Sequence, residues 1–229
     1  MNLPNSLFRA LRAGRFMALA VFSLLLAACA TQQPGPQFDY TAFKASKPRS
    51  ILVLPPVNQS PDVDASASLF SVTTYPLAES GYYVIPITLT EETFKQNGVT
   101  VAEEAHSLPL DKLREIFGAD AALYITITRY GVSYRLIDSV VEIAASAKLV
   151  DLRNAQELWQ GSASIAIGQN NSNSGLVGML VGAVVNQIVN NVSDRAHEVA
   201  GTASRQLFWG GGHSNRLLLG PYHPKYGTE

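Results

Sequence analysis

The chain has 229 residues, of which 47% are hydrophobic and only 15% are charged, a composition that excludes a disordered or polyelectrolyte protein. Its 17 basic and 18 acidic residues give a net charge of -1, whereas nucleic-acid binding requires concentrated positive charge. The single cysteine excludes an intrachain disulfide bond and a cysteine-rich metal site. We therefore expect a folded domain that does not bind nucleic acid.

The N-terminus has the three-part plan of a secretory signal peptide. Three arginines within residues 1–15 precede a mainly apolar run at 16–26, which small residues close. The run has 11 residues, too few to cross a bilayer, which takes about 20. The basic flank argues against the alternative, a buried core helix. We predict that residues 1–28 are a signal peptide, removed by cleavage between Ala28 and Cys29.

The segment Leu26-Ala27-Ala28-Cys29 resembles the bacterial lipobox, the motif for lipid attachment at cysteine. This resemblance implies a diacylglyceryl group on the sulfur of Cys29 and an acyl chain on its new amino terminus. Ala30, where an aspartate would retain the protein, implies export to the outer membrane. Several chains anchor more firmly than one, because each buried methylene contributes about 0.8 kcal/mol. We expect residues 29–46 to comprise the lipidated cysteine and a flexible tether.

Residues 47–167 are predicted to form an α/β domain. In chain order, the first half of its pattern predicts a strand from Ser50 to the prolines at 55–56, a loop at 58–64, a helix at 65–75, a strand at 82–88 and a helical turn at 89–98. The first strand is wholly apolar, which is typical of a strand buried on both faces. We expect Asp64 to cap the following helix and Pro76 to kink or end it.

The second half of this domain alternates apolar and polar residues, which favours strands. In chain order, it predicts a helix at 110–117 with Ser107 as its cap and Gly118 as its stop, then strands at 121–130, 141–149 and 157–167. The last two strands are expected to pair as a long hairpin. The order β-α-β-α-β-β-β predicts an α/β sandwich with a mixed sheet, to which C-terminal helices are added.

Residues 168–209 are predicted to form a flexible loop and C-terminal helices that pack on the domain. Gly178 and Gly182 lie four residues apart in the apolar segment 176–192, where they would allow the close approach of another helix. They are candidate interface residues, and the alternative is an ordinary core helix. Asparagines in the second half of this segment argue against a membrane span.

The tail, residues 210–229, is rich in Gly, Pro and Tyr and is predicted to be irregular, following a helix at 194–208. Tyrosine is enriched at protein interfaces. We therefore take Tyr222 and His223 as candidate partner contacts.

Enzyme and metal-site motifs are missing from the sequence, which contains no Gly-x-Ser-x-Gly, His-Glu-x-x-His or Gly-x-x-x-x-Gly-Lys-Ser/Thr. Its four histidines are scattered, without metal-ligand spacing. We expect no catalytic residue, metal or cofactor. Asn58, Asp62 and Asp64 follow the first strand, at the sheet edge where α/β proteins place binding groups, and are candidates for ligand or partner contact. Turn formation and helix capping are the alternative explanation.

Several segments together resemble an uncharacterised lipoprotein family of Gram-negative bacteria. They are Ser50–Val63, Tyr75–Pro86, Glu91–Gly98, Leu113–Tyr124, Leu149–Arg153 with Leu158–Gly161, and Gly220–Gly227. The genes of that family often lie beside one for a lipoprotein similar to the curli secretion channel. The resemblance implies a domain similar to the N-terminal domain of the Tol translocation protein, and it supplies no catalytic residues.

These observations favour an outer-membrane lipoprotein whose periplasm-facing domain is a non-enzymatic assembly or accessory module. Its expected partner is a channel-like lipoprotein or a second copy of the chain. The alternative is an envelope module that binds peptidoglycan or a small ligand near Asn58–Asp64. A hydrolase is a third hypothesis, because catalytic triads are recognised by geometry rather than by sequence order.

Overall fold

A computed structural model of the chain describes residues 38–135, 138–168, 192–210 and 215–228. The helices within these ranges are α1 (Thr41–Ser46), α2 (Ala65–Glu79), α3 (Ile87–Gln96), α4 (Ala102–Ser107), α5 (Leu110–Phe117) and α6 (Val192–Arg205), which a π-helical turn (Gln206–Gly210) extends. The strands are β1 (Ser50–Val53), β2 (Val57–Asn58), β3 (Tyr83–Val84), β4 (Ala121–Arg129), β5 (Val132–Arg135), β6 (Asp138–Asp151) and β7 (Glu157–Gly168).

All of these strands belong to one mixed sheet of seven strands. Its main order is β3-β1-β4-β6-β5, while β2 adds to β4 and β7 adds to β6. Strand β1 runs parallel to β3 and β4, whereas β4, β5 and β7 all run antiparallel to β6. The α/β class and the mixed sheet predicted from the sequence are confirmed. The predicted hairpin is also present, as β6 paired with β7.

Helices cover both faces of the sheet at its parallel end, which explains the wholly apolar β1. Ile51 and Val53 belong to the core beneath α2 and α6, and Leu52 belongs to a second core beneath α3, α4 and α5. All three side chains are fully buried. Burying such a side chain stabilises the fold by about 1.5–3 kcal/mol. Because its side chains enter both cores, β1 connects the helix layers on the two faces of the sheet.

Helix α2 continues through Pro76 to Glu79, so the alternative that Pro76 ends the helix is wrong. Proline has no N–H and leaves the carbonyl of Val72, four residues earlier, without its helical partner. The hydroxyl of Ser204 on α6 donates a long hydrogen bond, 3.4 Å, to that carbonyl. A side chain from the neighbouring helix thus replaces the missing backbone donor.

Three other boundaries differ from the predictions. The strand expected at 82–88 is limited to β3, because α3 begins directly after Pro86. The loop expected at 58–64 begins one residue later, since Asn58 belongs to β2. Ser107 closes α4, a helix that the sequence did not predict, and Pro109 rather than Ser107 precedes α5.

The segment from Phe38 to Ser46 belongs to the folded domain, whereas the sequence placed it in the flexible tether. Phe43 on α1 is 4% exposed and belongs to the core beneath α2 and α6. The hydroxyl of Tyr40 donates a hydrogen bond to the carbonyl of Arg216 in the tail. An aromatic anchor and a long-range hydrogen bond therefore fix this segment.

Candidate functional site

The loop after β2 brings together the three residues that the sequence singled out, and they bond mainly to one another. Asn58 donates its side-chain amide to the carbonyl of Asp62 at 2.6 Å, while its Oδ1 accepts from the backbone and the hydroxyl of Ser60 at 2.9 and 2.7 Å. Asp62 Oδ1 accepts from the backbone N–H of Asp64 at 3.0 Å. Asp64 precedes α2 but makes no side-chain capping bond. These bonds shape the turn, as the alternative explanation expects.

A polar cavity lies elsewhere, on the side of the sheet that α3, α4 and α5 leave partly open. Its volume is about 510 Å³, and its lining includes His106, Tyr124, Thr126, Ser146, Lys148 and Gln160. His106 lies at the end of α4, and the other five come from strands β4, β6 and β7. None of the residues that were proposed from the sequence and that the structure describes lines it.

An aromatic and cationic stack forms one wall of this cavity. The rings of His106 and Tyr124 meet edge to face with centroids 5.1 Å apart, and Lys148 Nζ lies 5.2 Å from the centre of the Tyr124 ring. His106 Nε2 lies 2.9 Å from the carbonyl oxygen of Pro55, within hydrogen-bonding distance. The contact orients the imidazole, which donates through Nε2 when that nitrogen carries the proton.

Burial sets the charges within the cavity. It lowers the pKa of His106, and the nearby Lys148 adds to this effect, while the bond to Pro55 and the charge of Glu103 oppose it. Burial likewise raises the pKa of Tyr124. The imidazole and the phenol are therefore uncharged at neutral pH, and the positive charge comes from Lys148. Such a lining can donate hydrogen bonds to a hydroxylated or acidic ligand.

Sequence reasoning missed the five strand residues of this lining because each looks like an ordinary outward-facing residue of a strand, and it missed His106 because α4 was not predicted. Ser146 and Lys148 alternate with buried neighbours along β6, as half-exposed sheets do. Only the pairing of Lys148 with Gln160 across the hairpin brings the polar groups together. The sequence located the turn between the two strands, but it did not reveal the register shift at Leu149–Val150, which decides which residues pair.

A buried ion pair joins α1 to the end of β6. Asp151 is fully buried and accepts hydrogen bonds from the Ser46 hydroxyl at 2.6 Å and from the Arg153 guanidinium at 2.6 and 2.9 Å. Burial raises the pKa of Asp151, but the bonds from Arg153 and Ser46 outweigh it and hold the pKa below its ordinary value. Because each oxygen is engaged, we assign this group a structural role.

The tail places the two candidate contacts, Tyr222 and His223, beside Gly81. The backbone N–H of Tyr222 donates to the Gly81 carbonyl at 3.0 Å, while the Tyr222 side chain is 66% exposed. His223 Nδ1 accepts from the backbone N–H of Lys225 at 3.1 Å. The exposed tyrosine remains available for a partner. The other candidate residues lie outside the described ranges: Cys29, Gly178 and Gly182.

Strand β7 forms one edge of the sheet. It pairs with β6 along its 12 residues, and its other side pairs with no strand in the described parts of the chain. From Leu158 to Gly168 it contains neither a charge nor a proline. Exposed edges of natural sheets usually carry such groups to prevent pairing with other chains.

The described residues contain neither a membrane-spanning helix nor a cluster of metal-binding side chains. Within them, no helix has the length and apolar character needed to cross a bilayer. The same residues contain no group of three or more histidine, cysteine, aspartate or glutamate side chains that could hold a metal ion.

Comparison with known proteins identifies the family. The family model "Putative lipoprotein GNA1162-like" matches residues 38–222. "Putative lipoprotein NMB1124/NMB1162" of Neisseria meningitidis serogroup B (strain ATCC BAA-335 / MC58) is 55% identical over 198 residues, which are 86% of this chain and 91% of that protein. The crystal structure of lipoprotein GNA1162 from Neisseria meningitidis superposes with a TM-score of 0.53 at 59% identity, covering 63% of this chain and all of that one. The chain therefore belongs to the GNA1162-like lipoprotein family, whose name implies an envelope protein anchored to a membrane.

Proposed function

We propose that this chain is an outer-membrane lipoprotein, anchored through Cys29, whose periplasm-facing domain is a non-enzymatic assembly or accessory module. Membership of the lipoprotein family and the lipobox-like segment ending at Cys29 support the anchor. The missing catalytic motifs support a role without catalysis, and neither the family nor the relative carries the name of an enzyme.

The observation that carries the assembly role is the edge of β7, whose outer side pairs with no other strand among the described residues. A strand edge presents a row of backbone N–H and C=O groups, to which an extended segment of another protein can add. The exposed side chains of Gln160, Ser162 and Ser164 on this strand are small or neutral, so they do not repel an incoming strand. The partner that we propose is a lipoprotein similar to the curli secretion channel, or a second copy of this chain.

The assembly role is tested by placing a charge on the edge. Ser164→Lys adds a lysine beside the open backbone groups, and Gln96→Lys adds the same charge at an exposed position of α3. The tagged full-length proteins are crosslinked in cells and purified from membranes. We expect Ser164→Lys to lose at least about tenfold of the crosslinked partner or dimer, the loss that a strand addition weakened by about 1.4 kcal/mol would give.

Equal yields of crosslinked partner from Ser164→Lys and Gln96→Lys would contradict the edge as the interface.

Anchoring is tested separately, by labelling cells with palmitate. Label should appear in the wild-type chain and be absent from Cys29→Ser, and the labelled protein should sediment with outer membranes on a density gradient. Label that persists in Cys29→Ser would contradict the anchor.

The polar cavity favours a second candidate function, the binding of an envelope ligand such as peptidoglycan. Peptidoglycan combines hydroxylated sugars with peptide carboxylates, which match the hydrogen-bond donors and the cation of Lys148. Soluble muropeptides should raise the melting temperature of the wild-type protein but not that of Lys148→Gln. Lys95→Gln removes an exposed lysine from α3 and serves as the control. An unchanged melting temperature in all three proteins would exclude this function.

A further inference from the structure

A groove lies at the end of the domain where the tether enters, between α1 and the tail. Its volume is about 310 Å³, and it is lined by Phe43, Lys44, Lys47, Pro48, Leu218 and Tyr226, among others. We name it the tether-end groove. Apolar side chains form its floor, since Phe43 and Pro48 are buried, and two lysines stand at its rim with exposed side chains. An apolar floor with a cationic rim fits an amphiphile that carries a negative charge.

Within the described residues, the charges of the two groove lysines are not neutralised by an ion pair. Lys44 and Lys47 form no ion pair with any residue in the described ranges, whose salt bridges are Lys112–Glu115, Arg129–Glu142 and Arg153–Asp151. Two carboxylates that contact residues close to these lysines in the chain are already engaged. Asp39 accepts from Thr41, and Asp120 accepts from the backbone N–H groups of Arg49 and Ser50.

The backbone at Lys47 gives independent support. This residue has a φ of +49° and ends α1 in the left-handed region, where glycine is the favoured residue. A lysine at such a position raises the energy of the folded chain, and strain of this kind accumulates at functional sites. Lys47 therefore has an unfavourable backbone conformation and lies beside a groove that its charge complements.

The position of the groove relative to the anchor identifies the occupant. Only eight residues, 30–37, separate Cys29 from the start of the described domain at Phe38. Even fully extended, they reach about 30 Å, so an anchored domain stays close to the bilayer. Residues 44–49 contain Lys44, Lys47 and Arg49, a basic cluster next to an anchor of the kind that binds anionic lipid.

We propose that the tether-end groove binds an anionic phospholipid of the anchoring membrane. The lipid phosphate lies between the ammonium groups of Lys44 and Lys47, and part of an acyl chain covers Phe43, Pro48 and Leu218. Tyr226, which is 42% exposed, lies at the headgroup level, where tyrosine is enriched. This inference rests on the proposed anchoring, because the tether brings the groove to the bilayer.

The test uses the full chain after signal removal with Cys29→Ser, so that no acyl chain contributes to binding. Cosedimentation with vesicles of phosphatidylglycerol and phosphatidylcholine is compared with cosedimentation with phosphatidylcholine alone. We expect binding to the anionic vesicles only, weakened by high salt. Lys47→Gly should weaken it about fivefold and Lys44→Gln with Lys47→Gly about 25-fold, whereas Lys95→Gln should not change it.

Lys47→Gly relieves the positive φ, so a loss of binding by this variant cannot be attributed to unfolding. Binding that is equal on both kinds of vesicle, or equal in Lys47→Gly and Lys95→Gln, would overturn the proposal. So would sedimentation-velocity data in which the groove variants abolish a dimer while vesicle binding is absent, because a second copy would then occupy the groove. Failure of anchoring is distinguishable, since it appears only as missing palmitate label on wild-type protein.

A second readout reports the depth of the groove in the bilayer. Tyr226→Trp places an indole at its rim, and Val63→Trp places one in the exposed loop before α2, where Val63 is 88% exposed. Anionic vesicles with brominated acyl chains should quench the added fluorescence of Tyr226→Trp and leave that of Val63→Trp unchanged. Equal quenching of both would contradict an oriented contact.

Discussion

A side-chain carbon added to Gly220 would lie 2.3 Å from the carbonyl oxygen of Gly81. These two glycines let the tail approach the turn after α2, where the backbone N–H of Gly220 donates to the Ser80 carbonyl at 2.7 Å. The contact requires an absent side chain on Gly220 and a φ of +87° at Gly81. The tail is thereby fixed next to β3, and it brings Tyr226 to the tether-end groove.

Gly220→Ala should lower the free energy of unfolding by about 2–3 kcal/mol, because the new methyl group overlaps backbone that cannot move aside. Urea denaturation of the purified protein measures this change. Gly201→Ala is the matched control, since its new carbon meets only the end of Arg205 at 3.9 Å within α6. It should stabilise the protein by about 0.5–1 kcal/mol, and equal losses in both variants would contradict the close approach.

The replacement of the missing backbone donor in α2 predicts a coupling between Pro76 and Ser204. Ser204→Ala should cost about 1 kcal/mol in the wild-type background, because the partly buried carbonyl of Val72 loses its donor. In Pro76→Ala, residue 76 supplies an N–H to that carbonyl, and the loss of the hydroxyl should cost clearly less. A double-mutant cycle in urea measures the coupling. Strictly additive changes in the free energy of unfolding would show that the long hydrogen bond from Ser204 does not stabilise the helix.

Asp151→Asn should destabilise the protein by about 2–3 kcal/mol at pH 7, below the range of about 3–5 kcal/mol for a fully buried pair, because Arg153 remains partly exposed. The folded-state pKa of Asp151 is depressed, so its stabilisation is present above the unfolded value of about 3.9. It is lost as the pH falls through the folded-state pKa. The difference in unfolding free energy between the two proteins should therefore shrink below about pH 4. A difference that is constant from pH 7 to acid would contradict the assignment.

Burial of His106 predicts that the free energy of unfolding also depends on pH in a range above that of Asp151. Its folded-state pKa lies below the ordinary value, so the unfolded chain takes up a proton first as the pH falls through about 6.5. The folded state consequently loses stability from that pH downwards to the folded-state pKa. His106→Gln keeps a donor for the Pro55 carbonyl but does not titrate, and it should be less sensitive between pH 8 and pH 5. Parallel stability profiles of the two proteins would contradict a buried, neutral imidazole.

The fold class and the strands β1, β4, β6 and β7 could be predicted from the sequence, because local hydrophobic pattern determines which residues face a core. The short strands β2 and β5 were not predicted. The apolar run at β1 and the hairpin of β6 and β7 are examples. The continuation of α2 through Pro76 could not be predicted, since its compensating donor, Ser204, lies more than a hundred residues away in the chain. The same holds for Phe43, whose burial depends on contacts with the distant tail and sheet.

The candidate site, too, could be predicted from the sequence only in part. Asn58, Asp62 and Asp64 were identifiable because a polar cluster follows a strand, but their hydrogen bonds serve the turn itself. The cavity at His106 and Lys148 depends on the register of three strands and on the placement of α4. Its only sequence signal is a row of neutral polar residues on adjacent strands, a pattern shared by every solvent-facing sheet.

The central claim, assembly through the edge of β7, is tested most directly by photocrosslinking in living cells from a benzoylphenylalanine at position 164, with position 96 as the control. The account predicts an adduct from position 164, to a second copy of the chain or to a channel-like lipoprotein, at a yield well above that from position 96. Adducts of equal yield from the two positions, or no adduct from position 164, would contradict it.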